Sequence, residues 1–336
     1  MGMGNETIGE YLFRPGPVSP MPPAFFGEEG EKTEMTNLYL GVYGGGTRTE
    51  LRVADEEGRE LLCLRGGPTS YKAVGNAAAF ANMRDLARQM ESLGVRPRLL
   101  TRGVWGISGC DTPQDQTVYE AMVEQAGFLP ERTTVVNNAV LPFWAAADLP
   151  GVVVIAGTGS VVMGIDSQGK TKRIGGWNYA FSDLGSGYWM GSRLLREMTL
   201  WLDGCREDCF TFRKVEAKLL PQGGSRDDML YRLSTLNKGS EIASYASIVL
   251  DTAESPLCKK LRQQAADYLT DQAGRMLEVL RAKGEQNLKI VLAGGLVKSE
   301  FFRDQAVAAM EAHGVPVIVN TAPPAEGGIK LAKHLG

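Results

Sequence analysis

The sequence contains little of what metal-binding and disulfide-stabilised proteins need. Its 336 residues include two histidines, His313 and His334, and five scattered cysteines. An odd number of cysteines spread through a large chain argues for reduced thiols rather than a disulfide framework. Cys205 and Cys209 form the one close pair in the sequence, whereas a zinc site normally needs four ligands. We therefore expect this pair to be structural or exposed.

Neither charge nor hydropathy points to a nucleic acid or a membrane as partner. The formal net charge is -3, which gives no basic surface for nucleic acid or anionic lipid. No apolar run approaches the roughly 18 residues that span a bilayer, and the N-terminus lacks a basic region followed by an apolar one. We expect a cytoplasmic protein that binds a small molecule, with a homodimer left open.

The first 36 residues differ in composition from the rest of the chain. Five prolines fall within the nine positions from Pro15 to Pro23, and an acidic, apolar-poor stretch follows at 27–32. This composition is typical of a flexible leader, although a peptide that docks on a partner would look similar. Met35 stands just before the first predicted strand and is an alternative natural start.

Two apolar strands each run into a turn of glycine and hydroxyl residues. The first is LYLGVYGGGT at 38–47, and the second is VVVIAGTGS at 152–160. Bare backbone N–H groups beside a hydroxyl can bind phosphate oxygens. Either turn alone could be a simple hairpin, but their repetition half a chain apart predicts two related lobes that hold one nucleotide from opposite sides.

The hydrophobic pattern after the leader occurs twice. A three-stranded meander at 38–65 precedes alternating helices and strands, and a second meander begins at 152, just after Pro150. A helical region spans about 188–281, and strand, helix, strand and helix close the chain. This predicts an α/β, duplicated ribonuclease-H-like fold with a nucleotide cleft between two lobes. The lobes are 37–149 and 150–336, and the second carries the helical insertion.

Six segments carry a family resemblance. In chain order they are GVYGGGTRTE, GISGCD, VVNNA, IAGTGS, GGWNYAFSDLGSGYWMG and VLAGGL. The chain resembles the N-acetylglucosamine kinases and the BadF/BadG/BcrA/BcrD-type ATPases, in the actin, hexokinase and heat-shock ATPase superfamily. The fifth segment is the most specific, because glycine turns alone are weak evidence. The resemblance implies an actin-like ATPase fold, ATP and Mg2+ as cofactors, and phosphoryl transfer to an amino sugar such as N-acetylglucosamine.

The resemblance also implies roles for individual residues. The two phosphate loops and the adenosine loop are Gly44, Gly45, Gly46 and Thr47, then Gly157, Thr158, Gly159 and Ser160, then Gly294 and Gly295. The sugar-side residues are Ser70, where the family often has asparagine, and Asn138, Gly176, Trp177 and Asp183. An indole offers a flat apolar face to a pyranose ring, and a carboxylate can accept two sugar hydroxyls. Trp177 could instead be a core or interface residue, and Asp183 a helix cap.

Three acidic positions of the kinases are replaced in this chain. Tyr43 stands where a carboxylate helps to hold hydrated magnesium, Asn138 stands where the general base does, and Leu184 replaces a glutamate. Asn138 can accept a hydrogen bond from a sugar hydroxyl but cannot take its proton at neutral pH. We therefore expect Asp183 and Asn138 to be the catalytic residues, with Asp111 as a further carboxylate that could contribute.

Three functions stay open at this point. The favoured one is an ATP-dependent amino sugar kinase with a rearranged acid set. A ligand sensor or partner-binding protein that has lost catalysis would keep the same fold. An activator ATPase of a 2-hydroxyacyl-CoA dehydratase system would need cysteine ligands for a bridging iron–sulfur cluster, and Cys110 is the single cysteine of the sequence beside a glycine loop.

Overall fold

The structure is a computed structural model that describes residues 37–336, so the predicted leader at 1–36 lies outside the described residues. The described chain forms two compact units. The first contains residues 37–135 together with Ala332–Gly336, and the second is Val136–Leu331. No helix within residues 37–336 combines the length and the apolarity needed to cross a bilayer.

The first unit is built on a five-stranded mixed sheet. Its strands are β1 Tyr39–Gly44, β2 Thr49–Ala54, β3 Glu60–Gly66, β4 Arg102–Ile107 and β5 Thr133–Asn137, in the spatial order β3-β2-β1-β4-β5. β1 is antiparallel to β2 and parallel to β4. Three helices follow the meander: α1 Tyr71–Val74, α2 Asn76–Ser92 and α3 Pro113–Gln125. Apolar side chains such as Leu40, Leu86 and Trp105 are fully buried in its core.

The second unit repeats this sheet. Its strands are β6 Gly151–Ala156, β7 Ser160–Ile165, β8 Thr171–Gly175, β9 Ile290–Ala293 and β10 Val317–Val319, in the order β10-β9-β6-β7-β8. Read from the opposite edge, this is the strand order of the first sheet. β6 is antiparallel to β7 and parallel to β9, as β1 is to β2 and β4. The predicted duplicated α/β fold is therefore confirmed.

The same turn closes the second hairpin of each meander. Asp55 is fully buried and its carboxylate accepts the backbone N–H of Arg59 at 2.8 Å. Asp166 does the same for the N–H of Lys170, also at 2.8 Å. An aspartate that hydrogen-bonds the backbone ahead of it stabilises a tight turn. The repeat thus extends to individual side chains as well as to strand order.

The remaining helices of the described chain precede β6, fill the predicted insertion or lie near the C-terminus. They are α4 Leu141–Ala146, α5 Gly187–Leu202, α6 Phe210–Leu219, α7 Arg226–Thr235, α8 Gly239–Ser244, α9 Ala246–Asp251, α10 Pro256–Ala282, α11 Glu300–Glu311 and α12 Pro324–Leu335. Residues 37–336 also contain four short 3₁₀ segments, two in each unit: Pro97–Leu99, Pro130–Arg132, Asn138–Val140 and Gly295–Lys298. The insertion has breaks at 236–238 and at Tyr245 in addition to those predicted at Gly204, 221–224 and Pro256.

Residues 136–149 are grouped with the second unit, although the internal repeat of the sequence restarts near Pro150. Packing explains the grouping, because α4 packs on β6 and β9. A Cβ on Gly151 would lie 2.6 Å from the ring of Phe143, so β6 and α4 approach closely at this glycine. The repeat and the compact units therefore divide the chain at different residues.

Candidate functional site

The second glycine turn, Gly157–Ser160, connects β6 to β7. The N–H of Gly157 donates to the carbonyl of Gly159 at 2.9 Å and closes the turn. The buried Ser160 hydroxyl donates to the carbonyl of Leu184 at 2.8 Å. Within residues 37–336, the backbone N–H groups of Thr158 and Gly159 have no hydrogen-bond partner. Two such donors next to each other suit the oxygens of a phosphate group.

Asp183 is packed directly against this turn. Its side chain is 9% exposed, and Oδ2 accepts the N–H of Ser160 at 3.3 Å. A Cβ on Gly159 would lie 2.3 Å from that oxygen, so a larger residue there would displace the carboxylate. Oδ1 is buried and has no hydrogen-bond partner of normal geometry among the described residues. One oxygen of Asp183 therefore holds the turn, and the other can still accept a proton or a hydrogen bond.

Burial raises the pKa of the Asp183 carboxyl, because the charged form loses its hydration. The N–H of Ser160, the hydroxyl of Ser182, the charge of Arg173 and the backbone of Asn178 act in the opposite direction. The pKa still lies above the usual range of an aspartate. A raised pKa brings the carboxylate closer to the range in which a general base works well at neutral pH.

The alternative that Asp183 caps the following helix is wrong. α5 is capped by Ser186, whose hydroxyl accepts the N–H of Trp189 at 3.1 Å. The first N–H groups of α5 instead bind the glycine turn: Gly187 donates to the carbonyl of Gly157 at 2.8 Å. The start of α5 and the carboxylate of Asp183 thus fix the turn from two directions.

Trp177 lies in an exposed loop that follows β8. Gly175 ends β8 and Gly176 begins the loop, and their φ angles of 71° and 70° are in the left-handed region that favours glycine. Trp177 is 63% exposed, so a core position is wrong, whereas an interface position stays an alternative. The guanidinium of Arg173 lies 3.6 Å from the centroid of its ring. The backbone N–H of Trp177 donates to the hydroxyl of Ser182 at 2.9 Å, and this hydrogen bond anchors the loop beside Asp183.

The predicted adenosine loop follows β9 in the same unit. Gly294 has a φ of 110°, and a Cβ there would lie 2.3 Å from the carbonyl oxygen of Ala156. Ala156 is the residue before Gly157, so Gly294 packs against the strand end that carries the second glycine turn. A Cβ on Gly295 would meet nothing within 4 Å, which leaves its backbone open to a ligand.

These two glycines give a matched pair of variants. Gly294→Ala should lower the free energy of unfolding by about 2 kcal/mol or more, because it combines a backbone clash with a strained φ. Gly295→Ala should leave the fold intact and weaken nucleotide binding, because its Cβ would occupy open space beside the predicted adenosine. Chemical denaturation and calorimetric titration with ATP measure the two effects. Equal stabilities of the two variants would contradict the packing argument.

Asn138 begins the 3₁₀ segment that follows β5, and it is half-buried. The side chain of Asn137 accepts the N–H of Ala139 at 2.9 Å and caps this segment. Packing places Asn138 in the same unit as Asp183, Gly176 and Trp177. The structure therefore brings four of the five predicted sugar-side residues and two of the three glycine loops into the second unit.

The first glycine turn and Ser70 lie in the other unit. The N–H of Gly45 donates to the carbonyl of Arg48 at 2.9 Å, and the N–H groups of Gly46 and Thr47 have no partner among residues 37–336. A Cβ on Gly44 would lie 2.2 Å from the hydroxyl oxygen of Thr69, so the segment before Ser70 packs on this turn. Ser70 is buried, with 3% of its surface exposed. Its contact with a sugar stays a prediction.

An aspartate that the sequence analysis did not single out organises the loop around Ser70. Asp115 is 5% exposed, and it accepts hydrogen bonds from the hydroxyl of Tyr71, from Nζ of Lys72 at 2.8 Å and from Thr112. Burial opposes its ionisation, but these hydrogen bonds outweigh burial and hold the pKa of Asp115 well below its usual range. The spacing of Thr112 and Asp115 is a capping-box signal that could have revealed it.

Asp111, the further candidate carboxylate, accepts a hydrogen bond from Nζ of Lys72 at 3.2 Å.

The cysteines do not form a metal site in the described range. Burial raises the pKa of the Cys110 thiol to about 12, so this cysteine is protonated at neutral pH. Cys205 is exposed and Cys209 half-buried. Nowhere in the described range do three His, Cys, Asp or Glu side chains group as a metal site would require.

Comparison with known proteins agrees with the motifs. Residues 40–329 match the model of the BadF/BadG/BcrA/BcrD ATPase family. The chain belongs to this family. It is 27% identical to the N-acetylmuramic acid/N-acetylglucosamine kinase of Clostridium acetobutylicum, over 77% of this chain and 85% of that one. It is 23% identical to the N-acetyl-D-glucosamine kinase of Dictyostelium discoideum, over 88% of this chain and 97% of that one.

Solved structures show the same two-lobed sugar-kinase fold. A candidate N-acetylglucosamine kinase from Chromobacterium violaceum is 24% identical, with a TM-score of 0.71 over 89% of this chain and 99% of that one. A ROK family glucokinase from Streptomyces griseus, in complex with glucose and AMPPNP, is 18% identical, with a TM-score of 0.52 over 89% and 100%. The actin-like ATPase fold that the resemblance implied is confirmed.

Proposed function

We propose that this protein transfers a phosphoryl group from ATP to a hydroxyl of an amino sugar, and that Asp183 takes over from the missing family base. One observation carries the proposal: the buried Oδ1 of Asp183 has no hydrogen-bond partner of normal geometry within residues 37–336, while Oδ2 is bound to the glycine turn. A carboxylate that is fixed to a phosphate-binding loop and retains a free acceptor suits an attacking hydroxyl. The names of the relatives support an amino sugar as that substrate.

ATP fits the bare backbone of the glycine loops. In each turn two adjacent residues offer N–H groups that are without partners in the described chain, namely Gly46 with Thr47 and Thr158 with Gly159. Gly294 and Gly295 follow β9 and would lie against the adenosine. Mg2+ bound with ATP would neutralise part of the phosphate charge. Tyr43 replaces the carboxylate that helps to hold the ion, so we assign no protein ligand to it.

Asp183 acts on the sugar in this proposal. Its ionised form would accept a hydrogen bond from the attacking hydroxyl and then the proton, while the side-chain oxygen of Asn138 would accept a hydrogen bond from a neighbouring sugar hydroxyl. Phosphoryl transfer depends mainly on positioning and electrostatics. A single displaced base can therefore support a slow reaction. Trp177, Gly176 and Ser70 would bind the sugar ring and its substituents.

A sensor without catalysis is the second candidate. Three acidic positions are lost at Tyr43, Asn138 and Leu184, which favours a protein that binds ligand and hydrolyses little. The activator ATPase is not favoured, because Cys110 is buried and its thiol is protonated at neutral pH. A cytoplasmic location and a homodimer stay predictions, to be checked by cell fractionation and light scattering.

ATP and ADP should bind to the isolated protein in the presence of magnesium. A ligand at 100 times its dissociation constant adds roughly 2.7 kcal/mol of stability, which a thermal-shift panel of nucleotides with and without sugars would detect. We expect stabilisation by ATP and further stabilisation by N-acetylglucosamine or a related sugar. Calorimetry that finds no binding of the folded protein at millimolar nucleotide would contradict the proposal.

A further inference from the structure

Arg173 lies against Trp177, one of the residues that the proposed function places at the sugar. It is a half-buried residue of β8, paired across the ladder with Met163. Its guanidinium covers one face of the Trp177 ring at 3.6 Å from the centroid. The loop after β8 folds back so that the N–H of Trp177 binds the hydroxyl of Ser182, the residue before Asp183. The arginine, the indole and the carboxylate therefore belong to one local structure.

We infer that Arg173 is a positioning residue for phosphoryl transfer: it fixes the Trp177 ring by stacking and supplies positive charge to the surroundings of the Asp183 carboxylate. The inference rests on the proposed function, because it assigns Arg173 to the sugar side of the same site. Arg173 lies outside the six segments that carry the family resemblance.

Stacking would give Trp177 a defined orientation. An indole that is 63% exposed has few contacts to hold it, and a guanidinium over the ring within about 6 Å is a favourable cation–π contact. With one face covered by Arg173, the other face remains for a pyranose ring. A ring whose orientation is fixed before the sugar arrives loses less side-chain entropy when the sugar binds.

The charge of Arg173 would keep the base of the reaction available. Burial favours the protonated form of Asp183, which cannot accept a proton from the sugar. The groups that act against burial are the N–H of Ser160 on β7, the hydroxyl of Ser182 and the backbone of Asn178 in the loop, and the guanidinium of Arg173 on β8. Arg173 contributes the positive charge of this set. Its loss should raise the pKa of Asp183.

Two substitutions separate the two roles. Arg173→Met keeps an apolar chain near the ring and removes the charge, whereas Arg173→Lys keeps the charge and loses the planar stack. For Arg173→Met we expect kcat/KM to fall about tenfold and the acidic limb of its pH profile to move to higher pH. For Arg173→Lys we expect that limb to stay in place and the KM for the sugar to rise. Lys172→Met is the matched control, because Lys172 is an exposed neighbour on β8.

A second measurement does not need catalysis. The carboxyl 13C signal of Asp183, assigned with Asp183→Asn, can be titrated in the ligand-free protein, and its pKa should be higher in Arg173→Met than in the parent or in Lys172→Met. Unchanged titration in Arg173→Met, or pH profiles that superpose on the parent's, would overturn the inference. A parent that binds and phosphorylates no sugar would instead contradict the proposed function, and the titration would still test the charge of Arg173.

Discussion

Replacing Asn138 by aspartate is expected to raise the rate of phosphoryl transfer to N-acetylglucosamine or a related sugar by roughly 100- to 10,000-fold, the range that a positioned general base supplies. The change restores a group that can take the proton of the attacking hydroxyl. The effect should be largest together with Tyr43→Asp, which rebuilds the carboxylate that helps to hold magnesium. A coupled assay of ADP release over a panel of sugars measures the gain.

The surroundings of Asn138 should allow the Asn138→Asp variant to fold. Asn138 is half-buried at the first position of a 3₁₀ segment, where an aspartate keeps the side-chain shape and a negative charge is favourable beside the N-terminal N–H groups. Tyr43 is half-buried on β1, and burial raises the pKa of its hydroxyl, so an aspartate there should cost some stability. Asn138→Ala, which cannot act as a base, is the control for the first change. If the double variant binds ATP and phosphorylates no sugar, the sensor becomes the better account of this protein.

Asp183→Asn should abolish the activity of the parent, with a loss of at least about 100-fold in kcat. The amide oxygen can still accept the N–H of Ser160, so the glycine turn should keep its shape while the proton acceptor is lost. Asp183→Ala removes both functions and should lower the melting temperature as well. Steady-state kinetics with thermal denaturation of each variant distinguishes a chemical defect from an unfolded site.

A second buried aspartate serves as the control for this experiment. Asp166 is 5% exposed and closes a hairpin turn in the same unit, where it accepts the N–H of Lys170 and pairs with Lys283. Asp166→Asn should cost stability and leave kcat close to that of the parent. An Asp183→Asn enzyme with full activity would show that some other group takes the proton from the sugar.

Much of the fold could be predicted because it is encoded in local patterns. The alternation of apolar residues sets the strands, and the same pattern occurs twice, so the strand order of one sheet predicts that of the other. Glycines mark the places where the backbone comes close to another atom, as Gly294 does to Ala156. Motif spacing was enough to place the chain in its family, since residues 40–329 match it.

The other features of the candidate site depend on contacts between segments that are distant in the sequence. The sequence left Asp183 open as a helix cap, and only its approach to Ser160, 23 residues away, shows that it supports the glycine turn. Local sequence patterns also do not predict that Arg173 stacks on Trp177. The same is true of the hydrogen bonds that Tyr71 and Lys72 donate to Asp115. The strands, the repeat and the glycine loops can be predicted from the sequence, because they depend on neighbouring residues. Which charges are buried together follows only from the folded chain, because burial depends on segments that meet after folding.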